Sequence, residues 1–157
     1  MSQLLYWVLS NPAFILFALA LLIIWVRLWG RGQMHETALR VDIALAYILL
    51  LAVGVNGLYN FVMHAFFGDA IAAFIGWPQS PFQMEVAMAN LAFGILGVLC
   101  FRANFGFRLA TVIGLTAFMW GAAVNHIYGF MVLGNPMPGN IGTVLLMDIL
   151  IPLTLVM

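Results

Sequence analysis

The residues of this chain best suited to chemistry are two histidines and two carboxylates set in apolar surroundings: His64, Glu85, His126 and Asp148, with Asn56, Asn60, Asn90 and Asn125 near them. Histidine with Asp or Glu is a ligand set for zinc, manganese or iron. The same groups can carry protons or hold a cation or small polar solute. Two histidines on different helices can also ligate a haem. Spacing relates these residues to one another. Asn56, Asn60 and His64 follow at four-residue intervals, so on a helix they share one face. His126 and Asp148 each lie 11 residues from Met137. If Met137 marks a turn between two regular helices, the pair reaches a common depth, roughly 10 Å inside.

What must position them is an integral membrane bundle. The chain has 157 residues, 66% of them hydrophobic and 6% charged, with a mean hydropathy of +1.13. A soluble domain of this composition would have almost no charge to keep its surface in water. Formal net charge is zero, so nothing points to nucleic acid. A single cysteine, Cys100, excludes an intrachain disulfide and reads as a small packing residue. The first basic residue, Arg27, follows the first apolar run instead of preceding it. That run reads as a retained anchor and not as a cleaved signal.

The organising stretch is GWPQSPFQMEVAMANLAFGILG, residues 76–97. Ser80 followed by Pro81 and, three positions on, Gln83 predicts a capped helix start with an S-x-x-Q capping box. About 18 residues free of charge except Glu85 then run to Phe101, enough to cross a bilayer. Four further spans are predicted at about 12–29, 41–67, 107–131 and 141–157. Asn11-Pro12 starts the first, and Pro12 becomes a kink if residues 3–10 extend it. Residues 68–76 predict a short interfacial helix that Asp69 can cap. Gly54 and Gly57, Gly94 and Gly97, and the pairs Ala110/Gly114 and Ala117/Gly121 are small-residue patterns expected at helix contacts. The fold class is therefore all-α, one transmembrane domain over 1–157 with about five spans.

All five basic residues are arginines. Arg27, Arg31 and Arg40 surround the first loop; Arg102 and Arg108 surround the third. The positive-inside rule puts those loops in the cytoplasm, with the N-terminus outside and the C-terminus inside. His64, Glu85, His126 and Asp148 then share the outer half. Structural readings stand beside the functional ones. His64 can be an interfacial hydrogen-bonded histidine, His126–Asp148 a packing pair, and the asparagines interhelical glue. Asp42, beside Arg40, reads as a helix-start residue; His35 and Glu36 read as solvated loop residues. The ten methionines are scattered and mark no copper path.

The run GWPQSPFQMEVAMANLAFGILG, the later NHIYG and the closing segment with Asp148 resemble a family of small bacterial multi-pass membrane proteins of unknown function. The resemblance covers about Gly76 to the end and implies a bacterial inner-membrane protein, with no activity attached. Walker, GxSxG and HExxH motifs are absent from the sequence. Three functions remain open: binding or transport of a cation, proton or small polar solute in an outer-half pocket; a metal- or haem-dependent membrane oxidoreductase using Glu85, His126, Asp148 and His64 as ligands; and an accessory subunit or homo-oligomer whose polar residues only lock helices together.

Overall fold

The computed structural model describes residues 2–29 and 37–157, and every regular element among them is helical. In chain order these are α1 (Gln3–Ser10), α2 (Pro12–Trp29), α3 (Thr37–Ile48), a π-helical segment (Leu49–Val55), α4 (Asn56–Phe66), α5 (Gly68–Ile75), α6 (Phe82–Cys100), α7 (Phe105–Met131), α8 (Pro138–Ile141) and α9 (Thr143–Val156). Five stretches are long and apolar enough to cross a membrane: Pro12–Trp29, Thr37–Phe66, Phe82–Cys100, Phe105–Met131 and Pro138–Val156. The chain is thus an all-α, multi-pass membrane bundle, with large apolar side chains such as Ile113, Val124 and Leu22 turned outward to meet lipid. His35, Glu36 and Arg31 lie outside the described residues.

Successive spans alternate in direction, so the connections gather at two ends. One end carries Arg27, Arg40, Arg102 and Arg108; the other carries α5 and α8, which pack on each other. At the arginine end Arg108 is buried, and its guanidinium closes off α6. Its Nε donates to Cys100 O (2.8 Å), which also accepts from Ala103 N, and its Nη2 to Phe101 O (3.2 Å), both carbonyls at the end of α6. Its Nη1 donates to Asp42 Oδ1 at 2.6 Å. Asp42 therefore does not start a helix; it lies within α3 and supplies the counter-charge.

Lipid tails are as apolar as leucine, so close packing and interhelical hydrogen bonds hold such a bundle together. The most extensive helix contact sets α6 along the π-helical segment and α4. There a Cβ built on Gly54 would meet Val98 N at 2.8 Å, and one on Gly94 would meet Leu58 N at 2.8 Å. Backbone touches backbone, as the small-residue pattern predicts. The stripe Ala110, Gly114, Ala117 and Gly121 behaves otherwise: all four are exposed, and nothing lies within 4 Å of a Cβ on Gly121. The apolar core, with Ile48, Leu49, Val112, Leu115, Met147 and Ile151, fills the middle and the arginine half.

Helix ends follow local chemistry in part. Asn104 Oδ1 accepts from Phe107 N (3.0 Å) and caps α7. Asn11 separates α1 from α2, its Nδ2 donating to Trp7 O at 2.7 Å. The expected capping box at Ser80 does not form: no side chain caps α6. Gln83 is drawn instead to α4 and α5, where its Oε1 bonds His64 and its Nε2 donates to Gly68 O. Asp69 likewise leaves the start of α5 uncapped and accepts from Gln79 Nε2 at 2.8 Å.

Candidate functional site

The spans part toward the α5/α8 end and leave a cavity of about 630 Å³. Its walls come from α1, α2, the π-helical segment, α4, α6, α7 and α9. α5 and α8 roof it. The roof is pinned where Asn135 Nδ2 donates to Ile75 O at 2.9 Å, and where Gly139 sits so tightly against Phe74 that a Cβ would lie 2.6 Å from the ring. The wall is mainly apolar, with Met63, Phe74, Phe93, Phe118, Met119 and Met147. A second pocket of about 480 Å³ lies toward Asp69 and Gln79, with His64 and Ala70 common to both.

Of the residues singled out in the sequence, His64, Asn60, Asn90 and Asp148 line the cavity, as does Asn56. The π-helical turn that precedes Asn56 contributes Ala52 and Val53 to the wall; such bulges recur at functional sites. Asn56 is 7% exposed, and its Oδ1 has no hydrogen-bond partner. A buried acceptor left unpaired costs about 1–3 kcal/mol, so its persistence calls for an explanation. Asn90 points Nδ2 back at Val86 O, 2.9 Å away.

His126 stands behind this wall. Its neighbour Asn140, fully buried, commits Nδ2 to His126 O (3.2 Å) and Asn135 O (2.9 Å). That fixes the amide, so Asn140 Oδ1 faces His126 Nδ1 at 2.9 Å and the imidazole must carry its hydrogen there. Nε2 is then free toward Asp148 Oδ2, 3.8 Å away. Trp77 stacks on the ring with centroids 5.4 Å apart. Asp148 thus has an imidazole on one side and the cavity on the other. Pro152, four residues later, has no N–H to return to the Asp148 carbonyl.

Two residues of the predicted constellation are not brought in. Glu85 is exposed and lines neither pocket. At about 100° per residue it lies opposite Ala87 and Gly94, the face α6 buries. Asn125 is also exposed, about 100° off the stripe that carries His126. The four-residue ligand set Glu85, His126, Asp148 and His64 is therefore not assembled, and among the described residues no three of His, Cys, Asp or Glu stand together to share a metal ion. Nor do the two histidines flank one void for a haem: His64 lines the cavity and bonds Gln83, while His126 is held by Asn140 behind the wall. Asn140, Asn135 and Trp77 were not singled out in the sequence; the only signal was two asparagines bracketing a Pro/Gly turn.

A family described as one of unknown function (DUF6790) matches residues 10–157. No curated protein matches the chain, and no solved structure does.

Proposed function

The chain belongs to the family of unknown function DUF6790, and we propose that it binds, and passes across a bacterial inner membrane, a cation or small polar solute held in the roofed cavity. The observation that carries this reading is the polar equipment of a void within the spans. Asp148 and the amide residue Asn56 both line it. Ionisable groups inside a bilayer are costly and mark solute or proton paths. Asp148 supplies the charge. His126, oriented by Asn140, takes or returns a proton when that charge is exchanged between solute and imidazole. The arginine distribution supports a cytoplasmic arginine end, an outward-facing α5/α8 roof and an outside N-terminus.

The test is a thermal-stability screen of the purified protein in mild detergent, against inorganic cations, amines, zwitterions and neutral solutes. A ligand that binds only the folded state raises the melting temperature with concentration. The reading expects at least one cationic or polar solute to do so with the native protein and to lose its effect in Asp148→Asn. A transition indifferent to every solute overturns it.

A second reading has its own observation. The outward stripe Ala110, Gly114, Ala117 and Gly121 is an exposed small-xxx-small surface: among the described residues nothing lies within 4 Å of a Cβ on Gly121, and one on Gly114 would meet only the Phe93 ring, at 3.6 Å. We propose self-association or docking of a partner subunit there. Mass measurement in detergent tests it: a purely monomeric protein, purified without a partner, refutes it.

A further inference from the structure

The size, walls and rim of the cavity bear on what fills it and from which side. Its volume of about 630 Å³ falls among pockets that hold drug-sized organic ligands, about 300–1,000 Å³. A single water, by comparison, takes about 30 Å³ of the liquid. Such pockets are mainly apolar, with a few polar groups that orient the occupant. This one matches: Asn56, Asn60, His64, Asn90 and Asp148 are set among aromatic, methionine and aliphatic side chains, and none of the five is exposed. The lining residues that are themselves exposed are Tyr6, Leu9, Ala70, Ala73, Met137 and Pro138. They mark the rim, at α1, α5 and the start of α8. None is charged, and the Tyr6 phenol is their one polar side chain. An apolar rim thus leads to a polar interior.

At α1 that rim borders lipid. With about 100° per residue, Tyr6, Leu9 and Ser10 share one side of the helix and line the cavity, while Leu4, Leu5, Trp7 and Val8 fall on the other side and are exposed. Trp7 meets the ring of Phe14 edge-on, with centroids 6.3 Å apart, and Phe14 lies exposed on α2. The far side of α1 is therefore continuous with the lipid-facing surface of a span, and its tryptophan suits the level of the headgroups. A single helix stands here between the cavity and the bilayer. Asn11 (φ −131°, ψ 40°) breaks the backbone between α1 and α2. Tyr59 O–H, donating to Leu9 O at 2.7 Å, ties α1 to α4. Resting on the reading of the cavity as a solute site, we infer that its solute is an amphiphile dissolved in the membrane. It enters from the lipid as α1 swings about Asn11, and lies with its polar head among Asn60, Asn90 and Asp148 and its apolar body toward the rim. A single-chain lipid and a small membrane-dissolved molecule share this chemistry.

The experiment uses the full chain in phosphatidylcholine vesicles. Val144→Cys places a thiol on the cavity wall, and Val124→Cys places one on the lipid-facing surface as a control. Cys100 is fully buried, and the native protein sets its background. The probes are monobromobimane, neutral and lipid-soluble, and its trimethylammonium counterpart, which stays in water. The expected result is faster labelling of Val144→Cys by the neutral reagent than by the charged one. Adding Tyr59→Phe, which cuts the tie of α1, should raise that rate about two- to tenfold, the worth of one hydrogen bond, and leave Val124→Cys unchanged. 1-Octanol should slow the labelling of Val144→Cys but not of Val124→Cys; octane, the body alone, and ethanol, the head alone, should slow neither. Lysophosphatidylcholine separates the sources: protection by it extends the site to single-chain lipids, and protection by octanol alone confines it to small molecules. Ala13→Cys, on the α2 wall, takes the place of Val144→Cys if that variant fails to fold. Equal labelling by both reagents, a rate indifferent to Tyr59→Phe, or protection by octane equal to that by octanol overturns the inference while leaving a solute cavity. No labelling by either reagent also overturns it, and the broader solute reading then stands or falls on its own screen.

Discussion

The crossing of α6 over the π-helical segment gives the sharpest test of how this bundle is held together. Gly97 faces the backbone of the other helix so closely that a Cβ would stand 2.7 Å from both Gly54 Cα and Leu49 O, and nearer still to Gly54 N. Ordinary van der Waals contact begins at 3.4 Å, so Gly97→Ala must push the helices apart by at least about 0.7 Å, because backbone atoms cannot swing aside as a flexible side chain can. Forcing an extra carbon into a packed contact costs typically about 1–3 kcal/mol. The upper part of that range applies here, since the strain falls on two rigid helices. Gly121→Ala is the control. Nothing lies within 4 Å of its Cβ, so the change should be neutral, or stabilise by up to about 1 kcal/mol through helix propensity. Unfolding in mixed micelles of mild detergent and SDS, followed by circular dichroism, reads both. Gly97→Ala unfolding at the native SDS fraction, or Gly121→Ala proving as damaging as Gly97→Ala, would refute the packing argument.

Three further outcomes follow from the same structure. Arg108→Met should destabilise by about 1–3 kcal/mol, because the Phe101 carbonyl loses its side-chain donor and the Cys100 carbonyl keeps only Ala103 N. Asp42→Asn should cost less than about 1 kcal/mol, its side chain being 66% exposed; SDS unfolding of both variants checks the order, and Asp42→Asn proving the worse would contradict it. Asn140→Leu should lower stability by about 2–4 kcal/mol, since it strands the buried His126 Nδ1 and takes a donor from the His126 and Asn135 carbonyls; a melting temperature equal to the native one would show that this amide does not hold the ring. Glu85→Gln should change stability by no more than about 0.5 kcal/mol and leave any solute response of the cavity intact, because Glu85 is exposed and lines neither pocket; loss of a solute response in that variant alone would return Glu85 to the site.

How much of this was legible in the sequence depends on the coordinate in question. Depth along the membrane normal was legible, because each helical residue adds a fixed 1.5 Å. The equal spacing of His126 and Asp148 about Met137 predicts that they meet, and Nε2 and Oδ2 stand 3.8 Å apart. Facing was legible only where small residues announce a contact, as at Gly54, Gly57, Gly94 and Gly97. Glu85 illustrates the difference. Its depth, one turn inside α6, was read correctly, yet a helix turns about 100° per residue and Ala87 and Gly94 lie opposite it. Those two residues already marked the buried face, so its outward direction was in the sequence and was overridden by the assumption that an apolar segment hides its carboxylate. The stripe at Ala110 failed in the other direction: a small-residue pattern says that a close approach is possible, not that a helix of the same chain makes it.

Hydrogen-bond partners between distant segments were not legible at all, and here the two sides of Asp148 differ. On the imidazole side the geometry depends on Asn140, whose role follows from its amide being locked by His126 O and Asn135 O. Neither bond has a local signature, because both depend on how the 132–142 connection folds back over α7. On the cavity side donors are tied up one by one across the chain: Tyr59 to α1, Thr143 to Asn11 and His64 to Gln83, while Asn90 bonds its own helix. Sequence alone counts the polar groups of a site. Which of their atoms remain free is a property of the assembled bundle.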